Sequence, residues 1–312
     1  MTKVYPMGQM IQETRKRRNL TQTQLCQGLC SISTLSRIED GVQTPNAMLL
    51  DTLMQELGMF ASAYNLLVSD KEFERLRIAT LIRASVARHN YDISDLLEKF
   101  KNCTDVKMDK LEKQFFLLFK SIEMSENHHA PAEEVLILLT EALRLTLRHF
   151  DLKDNIENKM LSIEELMILN NIALEEYRIS GFQERAIKRM YFLKEYFETK
   201  IIDPSEKARQ YPAILVNLAN WEEDRKNFQT ELSLAEEGIA VCRKFGKLAC
   251  MDALILCKGV ALGYLGRHDE AKKSLRQALA IKAAKGVNVE VYRKNIQATL
   301  GYDFSDFLAE IM

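Results

Sequence analysis

The chain has 312 residues, 47% of them hydrophobic and 28% charged, with a formal net charge of −1. That length supports a sizeable core, most simply in two domains, and the near balance of charge excludes a bulk polycation. Only 12 Gly and 5 Pro punctuate it, with no Gly between positions 59 and 180; with abundant Leu, Glu, Lys, Arg and Ala, this predicts an all-α protein.

The first 60 residues read as short helices. Residues 8–18 place Met7, Met10, Ile11 and Thr14 on one face and end in a basic cluster that suits the helix dipole. Thr21 and Gln24 form a capping box, so a second helix starts near Gln22, with Leu25 and Leu29 inward. Ser31 caps a third, carrying Leu35 and Ile38 and stopped by Gly41; Asn46 caps a fourth, ended by Gly58; residues 59–67 form a fifth. Helices two and three are joined by a few residues around Gly28, the layout of a helix-turn-helix.

A recognition helix must enter a major groove about 12 Å wide, so short side chains on its outer face let the backbone approach. Ser31, Ile32, Ser33 and Thr34 fit that face, and Arg37 can reach a phosphate or a guanine edge. Gln22, at a helix N-terminus, is placed to bind a phosphate through its main-chain amide. Residues 1–37 carry Lys3, Arg15, Lys16, Arg17, Arg18 and Arg37 against one acid, Glu13, which suits a phosphate-facing surface with Arg17 and Arg18 on it.

Leu20-Thr21-Gln22, Leu25, then Leu35-Ser36-Arg37-Ile38-Glu39 with Gly41 and Pro45 resemble the XRE (phage-repressor-type) helix-turn-helix family over residues 8–67. The connection Gly28-Leu29-Cys30 is one residue shorter than that family's usual turn, a departure shared with its peptide-pheromone-responsive branch. The shortening shifts which residues face the bases. Ile32, where a polar base reader is common, points to sparse direct readout with a methyl contact to thymine.

From Asp70 the pattern predicts successive amphipathic helices over 71–89, 93–102, 109–126, 132–149, 162–180, 183–199, 206–225, 229–245, 248–265, 268–284 and 288–299. Consecutive pairing suggests a solenoid. Residues 252–285 resemble a tetratricopeptide (TPR) repeat through Ile255, Gly259, Leu262, Gly266, Ala271, Leu275 and Ala278, with Lys258 in the usual Leu slot. Looser copies lie around 167–200 and 212–245, where Glu231 replaces the small alanine.

The first helices of such pairs line a concave groove suited to extended peptides. In these frames Asn171, Asn217 and Asn220 face or border it, and their amides can pair with a peptide backbone of any sequence. Glu175 and Arg178 follow Asn171 on a similar face and could read ligand charges. The bland alternative is solvated surface asparagines.

An XRE domain (1–68) followed by degenerate TPR-like pairs (69–312) is similar to the Rgg/PlcR/PrgX-type peptide-pheromone receptors of Gram-positive bacteria. The resemblance implies a homodimer or higher oligomer on a palindromic DNA operator, switched by a short signalling peptide. It also implies that groove asparagines, matched by Asn171 and Asn217, hold the peptide backbone; Asn220 is carried over as a neighbour.

Other chemistries find no support in the sequence. Six cysteines show no metal spacing and read as reduced thiols of a cytoplasmic protein. No run of 18 apolar residues suggests membrane insertion, no secretory signal is legible, and no nucleotide, hydrolase or zinc motif occurs. No catalytic site, metal or cofactor is expected. His128-His129 reads as a loop, Trp221 as packing, Tyr191, Phe192, Tyr196 and Phe197 as core, and the C-terminal tail as a capping or dimer-contact helix. Two other functions stay open: a protein-interaction scaffold or antagonist with a vestigial helix-turn-helix, and a DNA-binding regulator whose repeats only dimerise.

Overall fold

The computed structural model describes residues 7–58, 70–103, 108–152 and 160–311. Among these there are sixteen helices and no strand. The expected fifth helix at 59–67 lies outside the described residues.

The N-terminal helices follow their local signals. α1 (Met7–Arg17) matches the expected 8–18 to within a residue at each end, and α2 (Gln22–Cys26), α3 (Ile32–Glu39) and α4 (Ala47–Glu56) start where the caps predict. Thr21 and Gln24 make a reciprocal capping box, Ser31 accepts the Thr34 N–H, and Asn46 accepts the Leu49 N–H. Each cap satisfies an amide that the helix cannot pair internally. Ile11, Leu25, Leu35, Ile38, Leu50 and Leu53 are buried together.

The chain divides into two compact units, residues 1–189 and 190–312. The first also contains α5 (Asp70–Ala87), α6 (Ser94–Asn102), α7 (Lys110–Glu126), α8 (Ala132–Arg144) and α9 (Ile163–Arg178). Its helical body joins the N-terminal core directly, since Leu111 of α7 is buried among the apolar residues of α1–α4. Polar contacts reinforce the seam. Asn46 Nδ2 donates to Asp109 Oδ2 (2.6 Å), Lys110 Nζ to the Gly28 carbonyl (2.7 Å), and the Ile163 N–H to Gln55 Oε1 (2.9 Å).

α8 ends at Arg144, earlier than the expected 149. Its last turn tightens, with Leu145 N–H bonding Ala142 O and Thr146 N–H bonding Leu143 O. Arg144 Nε then donates to Phe150 O (2.9 Å). Thr146 is held instead by side chains: Gln114 Nε2 donates to its hydroxyl (2.8 Å), which donates to Glu165 Oε1 (2.7 Å). A tertiary network therefore overrides the helical pattern of 145–149.

α10 (Gln183–Thr199) runs across the division between the units. The second unit continues with α11 (Pro204–Asp224), α12 (Phe228–Phe245), α13 (Met251–Tyr264), α14 (His268–Ala284), α15 (Glu290–Leu300) and α16 (Ser305–Ile311). α12 packs on α11, and α13 on both α12 and α14. Gly259 permits the last approach: a Cβ there would lie 2.7 Å from Leu275 side-chain atoms. Trp221, Tyr196 and Phe197 are buried, whereas Tyr191 and Phe192 are half-buried. Phe304 and Leu308 near α16 close the core over Leu275 and Leu279. Residues 127–130, with His128 and His129, form a turn.

Candidate functional site

The residues expected to meet DNA divide by what they already touch. Arg37 is exposed on α3 and its guanidinium makes no ion pair among the described residues. Ile32 is 49% exposed and Ser33 is exposed beside it. Arg17 is open to solvent, with Glu13 one turn away at 3.4 Å. Screening leaves such an exposed pair weak, so the guanidinium can turn to a phosphate.

Ser31 and Thr34 are structural at the start of α3. The Ser31 hydroxyl lies 2.8 Å from both Ser33 Oγ and Thr34 Oγ1 while accepting the Thr34 N–H. This cluster keeps the helix N-terminus narrow. Arg18 folds back, with its guanidinium against Gly58 beyond the end of α4.

The side chain of Gln22 is turned inward. Its Nε2 donates to Glu39 Oε2 at 2.8 Å, which leaves only the main chain of Gln22 for the phosphate expected there. Glu39 is buried and receives Arg15 in a forked pair, Nε to Oε1 at 2.6 Å and Nη2 to Oε2 at 2.9 Å. Arg15 Nη1 also donates to the Leu20 carbonyl. Burial works to raise the Glu39 carboxyl, but hydrogen bonds from Arg15 and then Gln22 outweigh it and hold it below the usual carboxylate range. Arg15, counted among the surface cations from sequence, is therefore an internal tie joining α1, α2 and α3.

Gly28 also does more than shorten a turn. Its φ is +82°, and a Cβ there would lie 2.2 Å from the Thr146 carbonyl oxygen. The helix-turn-helix connection thus sits against the end of α8, a contact that the local sequence does not reveal.

The expected peptide contacts fall in both units. In the first, Asn171 is half-buried, and its Nδ2 donates to Met167 O one turn back on α9 (2.8 Å). Its neighbour Asn170 buries Oδ1 without a partner. Glu175 is buried and accepts Ser125 Oγ and Arg178 Nη1, each at 2.5 Å. Arg178 also reaches Ser125 Oγ (3.0 Å) and Ala130 O (3.2 Å). Burial pushes the Glu175 carboxyl up, partly offset by Ser125 and Arg178. The structure thus occupies Glu175 and Arg178 with one another.

In the second unit, Asn217 and Asn220 lie on the accessible side of α11. Asn217 is half-buried, and its amide makes no hydrogen bond among the described residues. Asn220 is exposed, and its Oδ1 accepts the buried Cys257 thiol at 3.2 Å. Donor capacity remains free on both amides.

No group of metal-ligating side chains and no helix long and apolar enough to cross a membrane occurs among the described residues. All six cysteines are free; Cys26, Cys242 and Cys257 are buried and the others half-buried. Burial pushes the thiols of Cys30 and Cys250 each up to about 11, keeping them protonated and unreactive.

Comparison with known proteins bears on both parts. Residues 11–59 match a helix-turn-helix family model. No curated protein sequence matches the chain. Among solved structures, PlcR of Bacillus thuringiensis, in complex with the peptide PapR7 and DNA, is similar with a TM-score of 0.61 at 18% identity, over 93% of this chain and 98% of that one. The apo competence regulator ComR of Streptococcus vestibularis is similar at 16% identity over 90% and 98% of the two chains, with a TM-score of 0.47. Residues 11–59 are thus a helix-turn-helix domain, and the chain as a whole has the fold of PlcR.

Proposed function

We propose that the protein is a DNA-binding transcriptional regulator, not an enzyme, switched by a short signalling peptide. It acts in the cytoplasm as a homodimer or higher oligomer, with 1–68 reading DNA and 69–312 binding peptide and partner subunit. The observation that carries the reading is a helix-turn-helix on a chain that shares its fold with a protein solved in complex with both peptide and DNA.

Arg17 meets a phosphate, Arg37 a phosphate or a guanine edge, and Ile32 and Ser33 approach the bases. Ser31 and Thr34 shape the helix start, with Arg18 and the Gln22 main chain close to the backbone. Two-fold symmetry implies a palindromic operator with half-sites about one helical turn, or a multiple of it, apart. On the peptide side, the amides of Asn171, Asn217 and Asn220 hold a backbone, while the internally paired Glu175 and Arg178 shape the surface around Asn171. Switching requires that the peptide bind one arrangement of the DNA-reading domains better than another.

The test is selection of bound duplexes from a randomised library, followed by fluorescence anisotropy over a range of salt. Arg37→Ala is expected to weaken binding by about 1–3 kcal/mol if Arg37 reads a base, or to lower the salt slope by about one if it meets a phosphate. Unchanged affinity and slope would remove Arg37 from the interface. Calorimetry with candidate peptides on Asn217→Ala and Asn171→Ala tests the other half; undiminished binding in both refutes it.

A further inference from the structure

Unit 2 contains a cleft of about 520 Å³ walled by α12 and α14 and floored by α13. It is distinct from the face of α11 that carries Asn217 and Asn220, because none of its lining comes from α11. Its apolar surface comes from buried Ile255 on the floor and buried Ile239 at the base of the α12 wall. At Lys258, where the repeat pattern has leucine, the side chain leaves the helix interface and its Nζ pairs with Glu236 Oε1 on α12 at 2.7 Å. Replacing an apolar plug with a long outward-reaching stem leaves the space between α12 and α14 open.

The charges around this cleft are unequally satisfied. Glu236 is paired with Lys258, and Glu270 with Arg267, each at 2.7 Å. Arg243 on α12 and Lys273 on α14 are exposed and make no ion pair among the described residues. Two uncommitted cations therefore stand on opposite walls of an apolar-floored cleft, with Gln277 adding a polar amide. The volume falls within the roughly 300–1,000 Å³ of ordinary ligand sites.

The walls also restrict the form of the occupant. They are turns within helices, whose backbone donors and acceptors are largely spent on one another. Among the uncharged lining residues, only Gln277 and Ser274 could replace the water lost from the backbone of an extended peptide buried here, whereas a helix enters with those groups already paired.

We propose that this cleft is a docking site for an acidic amphipathic helix of a partner protein. An aliphatic side chain of that helix rests on Ile239 and Ile255, and flanking Asp or Glu carboxylates meet Arg243 and Lys273. The site is independent of the peptide-binding reading above.

The probe is a stapled, fluorescein-labelled helix of Glu, Leu and Ala with its Leu on one face, titrated against the full chain by anisotropy. The expected result is salt-sensitive binding that Arg243→Glu/Lys273→Glu weakens by at least about tenfold. Lys258→Leu, which fills the cleft and uncovers Glu236, should weaken it too. A matched reversal elsewhere, Lys99→Glu/Arg148→Glu, should leave it unchanged. Unaltered circular dichroism and melting of the variants separates lost docking from lost folding. No binding by the wild type overturns the proposal, as does equal binding of an isomer with dispersed Leu or a loss matched by the control reversal. Self-association that Arg243→Glu/Lys273→Glu abolishes, read by light scattering, overturns it in favour of a second copy of this chain.

Discussion

Replacing Arg15 with Met would expose how strongly the helix-turn-helix depends on one internal ion pair. The Arg15 and Glu39 side chains are only 10% and 0% exposed, and two hydrogen bonds of 2.6 and 2.9 Å join them. Removing Arg15 leaves a buried carboxylate supported chiefly by Gln22, a perturbation that costs about 3–5 kcal/mol. Removing both charges, in Arg15→Met/Glu39→Leu, should recover most of that loss, because apolar replacement of a buried pair is often neutral or stabilising. Trp221 is the only tryptophan and lies in the second unit, so its fluorescence does not report on α1–α4. Hydrogen exchange over residues 7–57 does. The pH dependence supplies a second signature. In the wild type the Glu39 carboxyl is lowered in the fold, so its stabilisation is complete above the unfolded value of about 4.3 and lost as pH falls through the folded one. In Arg15→Met, burial acts with less opposition and raises that carboxyl, so the fold should gain protection as pH falls toward the unfolded value. A loss under about 1 kcal/mol, or a double variant as unstable as the single one, would refute the assignment of an essential buried pair.

Two other outcomes follow from the same kind of geometry. Gly28→Ala must place a Cβ at a φ of +82° and against the Thr146 carbonyl; the backbone alone costs about 1 kcal/mol or more. Limited proteolysis should then cut near 27–30 faster than in the wild type, and unchanged resistance would mean that this seat is unimportant. Glu231 is fully buried on α12 with neither carboxylate oxygen bonded, and burial, then Glu223, pushes its carboxyl up to about 9. The folded state keeps that proton while the unfolded chain releases it, so stability falls as pH rises from about 4.3 toward 9, by on the order of 3–4 kcal/mol at pH 7. Glu231→Gln should flatten that decline, followed by the fluorescence of buried Trp221; a wild-type curve as flat as the variant's would place Glu231 in water.

The sequence revealed what neighbouring residues decide. The Thr21–Gln24 box, the Ser31 and Asn46 caps and the α3 face with Ile32, Ser33 and Arg37 depend on spacings of a few residues, and the structure contains them. Arg15 was legible only as one more cation, because Glu39, which draws it inward, comes 24 residues later. Gln22 turned its side chain away from solvent for the same reason. The early end of α8 was hidden as well, since the partners that hold Thr146 come from α7 and α9. Glu175 and Arg178 read as candidates for ligand charges, because Ser125 and Ala130, which bond to them, come from another segment.

Two polar residues stand where the repeat pattern is apolar or small, and their fates differ by reach. Lys258 has a four-carbon stem, so its ammonium can leave the contact between helices and find Glu236 near solvent. Glu231 has a shorter stem and takes the slot normally given to alanine, where helices approach most closely; it has no such path, and neutralisation by a proton is the cheaper state. The first departure places an ion pair at the rim of a cleft. The second stores a pH-dependent cost in the core. A motif match treats both as simple mismatches, yet their consequences follow from side-chain length, local crowding and the distance to a countercharge.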